Sequence, residues 1–267
     1  MDTAPASELA ATGTRARPLL SKVPEATALF WIIKILTTGT GEVVSDDLMQ
    51  RLGTVVAVLL GGTVLVASLV WQFRATRYRV WPYWTAVAMV SVFGTMVADG
   101  LRKGLGLTFV DTTVAFGIFV AASLGAWYTV ERTLSIHSIT TRRREIFYWT
   151  TVMATFALGT AVGDMFASTL GWGFLQSGLA FCVLILLPAL AYRFLRLNGV
   201  LAFWSAYVVT RPLGASFADY AWVPRPWGAG FGKDVTSLVT VAAFLVAVVY
   251  AARTRNGEPR AVLAATA

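Results

Sequence analysis

The sequence predicts an all-α, polytopic membrane protein in which eight transmembrane helices form four parallel two-helix repeats. The first observation is composition: 57% of the 267 residues are hydrophobic and 13% are charged, whereas a soluble domain carries about 25% charged residues. The second is a pattern that occurs four times: an aromatic residue, Trp, then Gly ten residues and Asp fifteen residues after the Trp. Intervals of 53, 65 and 55 residues between these tryptophans are typical of a repeat architecture.

The repeated pattern is too regular to be a coincidence. The chain contains eight Asp residues, and half of them fall at the same distance from a Trp. The four copies are Phe30-Trp31…Gly41…Asp46, Tyr83-Trp84…Gly94…Asp99, Tyr148-Trp149…Gly159…Asp164 and Phe203-Trp204…Gly214…Asp219.

Apolar stretches give the helices in order, because about 20 apolar residues suffice for a helix to cross a bilayer. Eight spans are predicted, at residues 25–45, 54–72, 81–99, 110–130, 146–168, 174–192, 199–219 and 235–252. Each repeat contributes an odd-numbered helix with the Trp-Gly-Asp pattern and a plainer even-numbered helix. A single transmembrane domain over 21–252 then contains repeats at about 22–74, 78–131, 143–194 and 198–252.

The distribution of Lys and Arg predicts the orientation. Fifteen lie in the two tails and in the connections after the second, fourth and sixth spans, against five in the other connections. Both termini are therefore expected in the cytoplasm. Residues 1–20 are expected to form a disordered tail without a signal-peptide core, and 253–267 a second tail. The net charge of +8 then serves topology and contact with membrane lipids, and predicts no nucleic-acid partner.

One face of each odd helix collects the polar residues. Positions 3, 7, 10, 11, 14 and 15 after the Trp lie within about 80° of it on a helix. A polar face inside a membrane turns towards protein or a water-filled cavity, so the four odd helices are expected to converge. The polar or charged members at the first four positions include Lys34, Thr38, Ser91, Arg211, Glu42, Thr95 and Thr160.

The Gly and Trp columns are interpreted as packing residues. Gly with a small residue four positions later lets helix backbones approach closely, and Trp is typical of membrane interfaces. A binding role for the Trp residues is the alternative. The packing residues are Gly41, Gly94, Gly159, Gly214, Trp31, Trp84, Trp149 and Trp204.

The Asp column allows two interpretations. Fifteen residues beyond the Trp is about 22 Å along a helix, which places the acids at the outer ends of the odd helices. They either cap or pair locally, with partners such as Arg51, Arg102 or Lys103, or they form a carboxylate cluster for a metal ion or protons. The candidate metal ligands are Asp46, Asp99, Asp164 and Asp219.

Three further charges lie on the same polar face and are assigned to the substrate site. An isolated ion inside a membrane costs several kcal/mol, so Arg211 is expected to pair with Glu42 or with an Asp of a neighbouring repeat. Lys34 is expected to face the bundle interior. Thr95 and Thr160 offer additional oxygens one turn deeper than the Asp column.

The residue inventory favours transport over catalysis. The chain contains one His, His137, one Cys, Cys182, and none of the phosphate-loop, GxSxG or HExxH motifs, so no enzyme activity and no cofactor are predicted. Carboxylates and hydroxyls suit hard cations and protons. The first hypothesis is a cation carrier, exporter or channel. The alternative is a membrane scaffold or assembly protein that uses the same residues for helix packing, and a homo-oligomer is compatible with both.

Two segments resemble a known family. They are Lys22-Val-Pro-Glu25 through Gly41, and Glu131 through Trp149 with the following Ala-Leu-Gly159-Thr. They are similar to bacterial membrane proteins defined by a tandem domain-of-unknown-function repeat, in four copies of two spans, which are usually labelled uncharacterised membrane-anchored proteins. The resemblance covers residues 22–252 and implies an eight-span protein of a bacterial inner membrane. It implies no particular activity and no functional residues.

Overall fold

The structure, a computed structural model, describes residues 21–254 and 257–259. Over these ranges the chain is helical without strands, which confirms the all-α prediction. The tail at 1–20, and most of that at 253–267, lie outside the described residues. The long helices are α1 (Ala28–Leu52), α2 (Thr54–Arg74), α3 (Val80–Leu105), α4 (Phe109–Glu131), α5 (Arg142–Asp164), α6 (Gly173–Phe194), α7 (Gly199–Trp222) and α8 (Lys233–Thr254).

Side-chain caps fix where several helices begin. The Thr27 hydroxyl accepts a hydrogen bond from the backbone N–H of Phe30 at the start of α1. Thr108 and Asp111 form a reciprocal capping box on α4. The Asn198 side chain accepts from the first N–H groups of α7. Such caps satisfy backbone donors that have no partner within the helix.

The expectation that the Asp column ends the odd helices is wrong for Asp46, Asp99 and Asp219, whereas α5 does end at Asp164. Helix α1 continues six residues beyond Asp46, α3 six beyond Asp99, and α7 three beyond Asp219. After Asp164 the chain continues as a π-helical turn, Met165–Thr169. Hydropathy marks where a helix leaves the apolar layer, not where its hydrogen bonding stops. The dipole of a helix acts within its last turn, so it does not oppose Asp46 or Asp99.

The chain is a multi-pass membrane protein with its odd helices inside. Within the described residues, seven helices are long and apolar enough to cross a membrane, and α7 is the long helix that falls short. The most apolar windows of α1, α3 and α5 are 61–67% buried, against 17–22% in the even helices. Helix α7 buries 13 of its 24 residues, including Arg211 and Asp219. Its polar composition is therefore sheltered by protein.

The odd helices close a ring. Helix α1 packs against α3, α3 against α5, α5 against α7, and α7 against α1. The even helices pack on the outside of this ring: α2 packs on α3, α4 on α5, α6 on α7, and α8 on α1. Each even helix thus covers the odd helix of the next repeat. The result is a pseudo-fourfold bundle in which the last repeat docks on the first.

The aromatic-Trp pairs form a closed belt at one end of the ring. In every case the aromatic residue before a Trp contacts the Trp of the next repeat. Because all four pairs meet at one level, the four odd helices run parallel, as predicted. The ring-centroid distances are 5.6 Å for Phe30–Trp84, 5.7 Å for Tyr83–Trp149, 6.2 Å for Tyr148–Trp204 and 5.6 Å for Phe203–Trp31.

The Gly column makes room for a side chain of the neighbouring repeat. The residue seven positions after each Trp points at the Gly of the preceding repeat, and a Cβ on that Gly would overlap or crowd it. This gives every Gly of the pattern the same steric reason. The pairs are Gly41 with Ser91, Gly94 with Phe156, Gly159 with Arg211, and Gly214 with Thr38.

A methyl group at Gly159 should therefore destabilise the bundle. Its Cβ would overlap Cβ and Cγ of Arg211, which lie too close to the backbone to move aside. We expect Gly159→Ala to lower the free energy of unfolding by about 1–3 kcal/mol. Thermal unfolding in detergent, followed by circular dichroism, measures the change.

Gly104→Ala is the matched control, because Gly104 also lies in an odd helix but has no atom within 4 Å of the added Cβ. Alanine is about 0.5–1 kcal/mol better than glycine within a helix, so this variant should be as stable as the parent or more so. Equal stability of the two variants would contradict the packing role.

Candidate functional site

A single guanidinium connects the four odd helices at the centre of the ring. Arg211 on α7 is 1% exposed. Its Nη1 donates to the backbone carbonyl of Thr38 on α1 at 2.8 Å. Its Nη2 donates to Glu42 Oε2 on α1 at 2.5 Å and to Thr160 Oγ1 on α5 at 3.0 Å. Nη2 also contacts Thr95 Oγ1 on α3.

The repeat explains why these groups meet. Glu42, Thr95 and Thr160 occupy the same position, eleven residues after the Trp, in the first three repeats. The fourth repeat has Ala215 there and supplies Arg211 one turn earlier. Arg211 therefore pairs with Glu42, as the sequence predicts. The two side chains are 1% and 6% exposed, so the pair is buried, and loss of one partner would leave an uncompensated charge.

Three carboxylates converge just beyond Arg211. Oxygens of Glu42, Asp46 and Asp219 all lie within 4.8 Å of one another. Glu42 and Asp219 are buried and Asp46 is half-buried. Lys233 Nζ lies 3.8 Å from Asp46, and Trp222 Nε1 donates to Asp219 at 3.1 Å. We call Glu42, Asp46 and Asp219 the acidic cluster.

The other two acids of the Asp column lie outside the acidic cluster. Asp99 Oδ2 is 2.6 Å from Lys103 Nζ, one helical turn away. Asp164 ends α5 at the π-helical turn and makes no side-chain hydrogen bond or ion pair with any residue in the described ranges. The structure thus unites two of the four predicted metal ligands with Glu42.

Lys34 lies towards the aromatic belt, one turn from Arg211 in the repeat register. It is 1% exposed, and none of the described residues hydrogen-bonds its ammonium group. Its Nζ lies 3.8 Å from the ring centroid of Phe156 and 4.2 Å from that of Tyr207. Lys34 thus faces the bundle interior, as predicted, and is held by cation–π interactions.

Sequence reasoning missed several partners of the site. Lys233 and Trp222 reach the acidic cluster from α8 and from the last turn of α7. Phe156 and Tyr207 form the aromatic surface beneath Lys34. Tyr207 occupies in the fourth repeat the position that Lys34 occupies in the first. This shared position in the repeat was the sequence signal that could have predicted the contact between Lys34 and Tyr207.

A second buried ion pair closes the end of the bundle that carries the aromatic belt. Lys22 Nζ lies 2.7 Å from Glu145 Oε2, and Gln72 Nε2 donates to Glu145 Oε1 at 3.1 Å. The Lys22 backbone N–H donates to Ile139 O at 3.0 Å. The two segments that carry the family resemblance therefore contact each other.

Removal of Arg211 should be costly and should be relieved by a second change. Arg211→Met leaves Glu42 buried without its partner, and we expect a loss of about 3–5 kcal/mol in unfolding free energy. Adding Glu42→Gln removes the orphaned charge and should recover part of that loss. Unfolding of the single variants and the double variant in detergent gives the interaction energy. Additive effects would show that the two side chains do not depend on each other.

Comparison with known families gives one match. The profile of a family described as Repeat of Unknown Function (DUF347) matches four times, over residues 29–78, 82–133, 147–197 and 202–256. Each match contains one odd helix and the even helix after it, which confirms the four tandem repeats. No curated protein and no solved structure matches the chain.

Proposed function

The chain belongs to this family of proteins built from a repeat of unknown function, and we propose that it is an integral membrane transport protein for a hard metal cation or protons. The carrying observation is the convergence of Glu42, Asp46 and Asp219 inside a membrane bundle. Acids in transmembrane segments are rare and mark ion or proton pathways. An all-oxygen set of ligands suits Mg²⁺, Mn²⁺, Ca²⁺ or a proton better than a soft metal.

The charge balance around the acidic cluster supports a cation as the missing partner. Arg211 compensates one of the three carboxylates at 2.5 Å, and Lys233 lies at the longer distance of 3.8 Å from Asp46. Asp219 receives a neutral N–H donor from Trp222. Arg211 and Thr95 both contact Oε2 of Glu42, which leaves the second carboxylate oxygen as a ligand. A bound cation or proton would compensate the remaining negative charge of the acidic cluster.

The layers below the acidic cluster favour a carrier over an open channel. A cation that moved from the acidic cluster towards the aromatic belt would meet Arg211 and then Lys34, and both repel it. The aromatic belt then closes the ring. Passage requires that these groups change position, as they do in an alternating-access carrier. On the Lys and Arg distribution, we propose that both termini lie in the cytoplasm and that the acidic cluster faces the outer side. The family resemblance adds the proposal of a bacterial inner membrane.

Charge-neutral variants of the acidic cluster test the proposal directly. Asp46→Asn and Asp219→Asn keep side-chain shape, and each should weaken cation binding by about tenfold or more, because a charged ligand is lost. Flux through purified protein in liposomes, measured for a panel of divalent cations and protons, gives the readout. Asp47→Asn is the control, because Asp47 is adjacent on α1 but pairs with Arg51. Unchanged flux in both cluster variants would refute the proposal.

Lys34 should matter for transport but not for stability. A buried ammonium without a hydrogen-bonding partner costs free energy, so Lys34→Met should unfold at the same temperature as the parent or higher. If the charge takes part in transport, the same variant should lose flux. Thermal unfolding and liposome flux are measured on one preparation. A variant that is destabilised yet transports normally would assign Lys34 a purely structural role.

Two observations support the alternative function, a membrane scaffold. They are the close fit of the Gly column to its neighbours and the Arg211 network. Asp99 also has a local partner, Lys103, as expected of an acid that serves structure. A scaffold would bind no cation at the acidic cluster. Isothermal titration with Mg²⁺, Mn²⁺ and Ca²⁺ and proton-release measurements therefore separate the two functions without assuming a transport direction.

A further inference from the structure

A cavity of about 750 Å³ opens at the end of the bundle that carries the aromatic belt. It lies between α1, α6, α7 and the connection from α4 to α5, at the opposite end from the acidic cluster. Ligand sites in proteins are commonly of this size, mostly apolar and equipped with a few polar groups. The lining residues used below are Glu25, Trp31, His137, Ala202, Phe203 and Ala206.

The cavity is a local departure from the fourfold repeat. The equivalent space one step around the ring, between α8, α1 and α3, measures only about 10 Å³. Two residues before and two after the Trp, repeat one has Leu29 and Ile33, and these line the small space. Repeat four has Ala202 and Ala206 at the same positions. The larger space therefore coincides with two smaller side chains at one register of repeat four.

The chemistry of the lining selects a cation with an apolar body. Trp31 and Phe203 present aromatic rings with centroids 5.6 Å apart, and aromatic faces attract cations. Among the residues that the structure describes, Glu25 is the acid of the lining, and the lining includes no Lys or Arg. An anion would meet the Glu25 carboxylate without compensation.

The present partner of Glu25 can be replaced. His137 Nδ1 lies 3.5 Å from Glu25 Oε1, and the two side chains are 57% and 33% exposed. The fully buried pair of Arg211 and Glu42 is at 2.5 Å by comparison. A ligand cation that entered the cavity could approach Glu25 more closely than His137 does.

We infer that this cavity binds an amphipathic organic cation, with its ammonium-type charge between Glu25 and Trp31 and its apolar body between α6 and α7. The site is separate from the acidic cluster and does not depend on the proposed transport of a hard cation. The charge could belong to a soluble organic cation or to the ethanolamine head of a membrane lipid. Both present the same chemistry to the protein.

Two ions of equal size and opposite charge test the inference. The full chain in nanodiscs free of phosphatidylethanolamine is dialysed against labelled tetraphenylphosphonium or tetraphenylborate, and binding to empty nanodiscs is subtracted. We expect saturable binding of one phosphonium per chain and at least tenfold weaker binding of the borate. Glu25→Gln should weaken phosphonium binding about tenfold. Glu258→Gln, an exposed acid at the same end, should leave it unchanged.

A cavity-filling variant provides an independent test. Ala202→Leu with Ala206→Ile introduces the residues that repeat one already carries at this register, and it should abolish binding while the protein stays folded by thermal unfolding. Equal binding of the two ions, or full binding by this variant or by Glu25→Gln, would overturn the inference. Asp46→Asn should bind phosphonium normally, which separates this site from the acidic cluster.

Lipid composition identifies the source of the charge. If added phosphatidylethanolamine competes with phosphonium, the lipid head group occupies the site in membranes. If it does not compete, the site takes a soluble cation. Both results require the cation preference and the Glu25 dependence described above.

Discussion

The fold depends on one buried guanidinium. Arg211 extends from α7 to Glu42 and the Thr38 carbonyl on α1, to Thr95 on α3 and to Thr160 on α5. A charge at the centre of a membrane bundle is stable only with such partners. The partners fix the relative height of the odd helices, because α1, α3 and α5 contribute Glu42, Thr95 and Thr160 from one register position and α7 contributes Arg211 from one turn earlier. Gly159 leaves the space through which the Arg211 side chain passes.

Much of this site follows from the sequence because a helix has a fixed angle per residue. That angle places Lys34, Glu42 and Arg211 on one face and predicts that the odd helices converge there. Periodicity alone does not give the axial offset between neighbouring helices. The offset decides that position seven of one repeat meets Gly of the preceding one. It also decides that Asp46 and Asp219 join Glu42, which no spacing within one helix could reveal.

The departures from fourfold symmetry are concentrated where chemistry is expected. Repeat one supplies Lys34 and Glu42, and repeat four supplies Arg211 and the small residues beside the cavity. At the positions of Lys34, Arg211 and Glu42, repeats two and three carry uncharged residues. Repeats one and four, which are neighbours in the ring, thus carry most of the buried charge and both candidate sites. The remaining half of the ring acts as a frame for them.

The closed ring has a consequence for how the protein is made. Helix α1 is synthesised with Lys34 and Glu42 already on its inner face, whereas the partner of Glu42 follows 169 residues later. Until α7 arrives, the carboxylate has no guanidinium, and α7 is itself the least suited of the helices to enter lipid alone. The first and fourth repeats therefore depend on each other for entry into the bilayer. The early helices therefore need a protein-lined or hydrated environment until α7 is made. Membrane integration is completed only when α7 packs against α1.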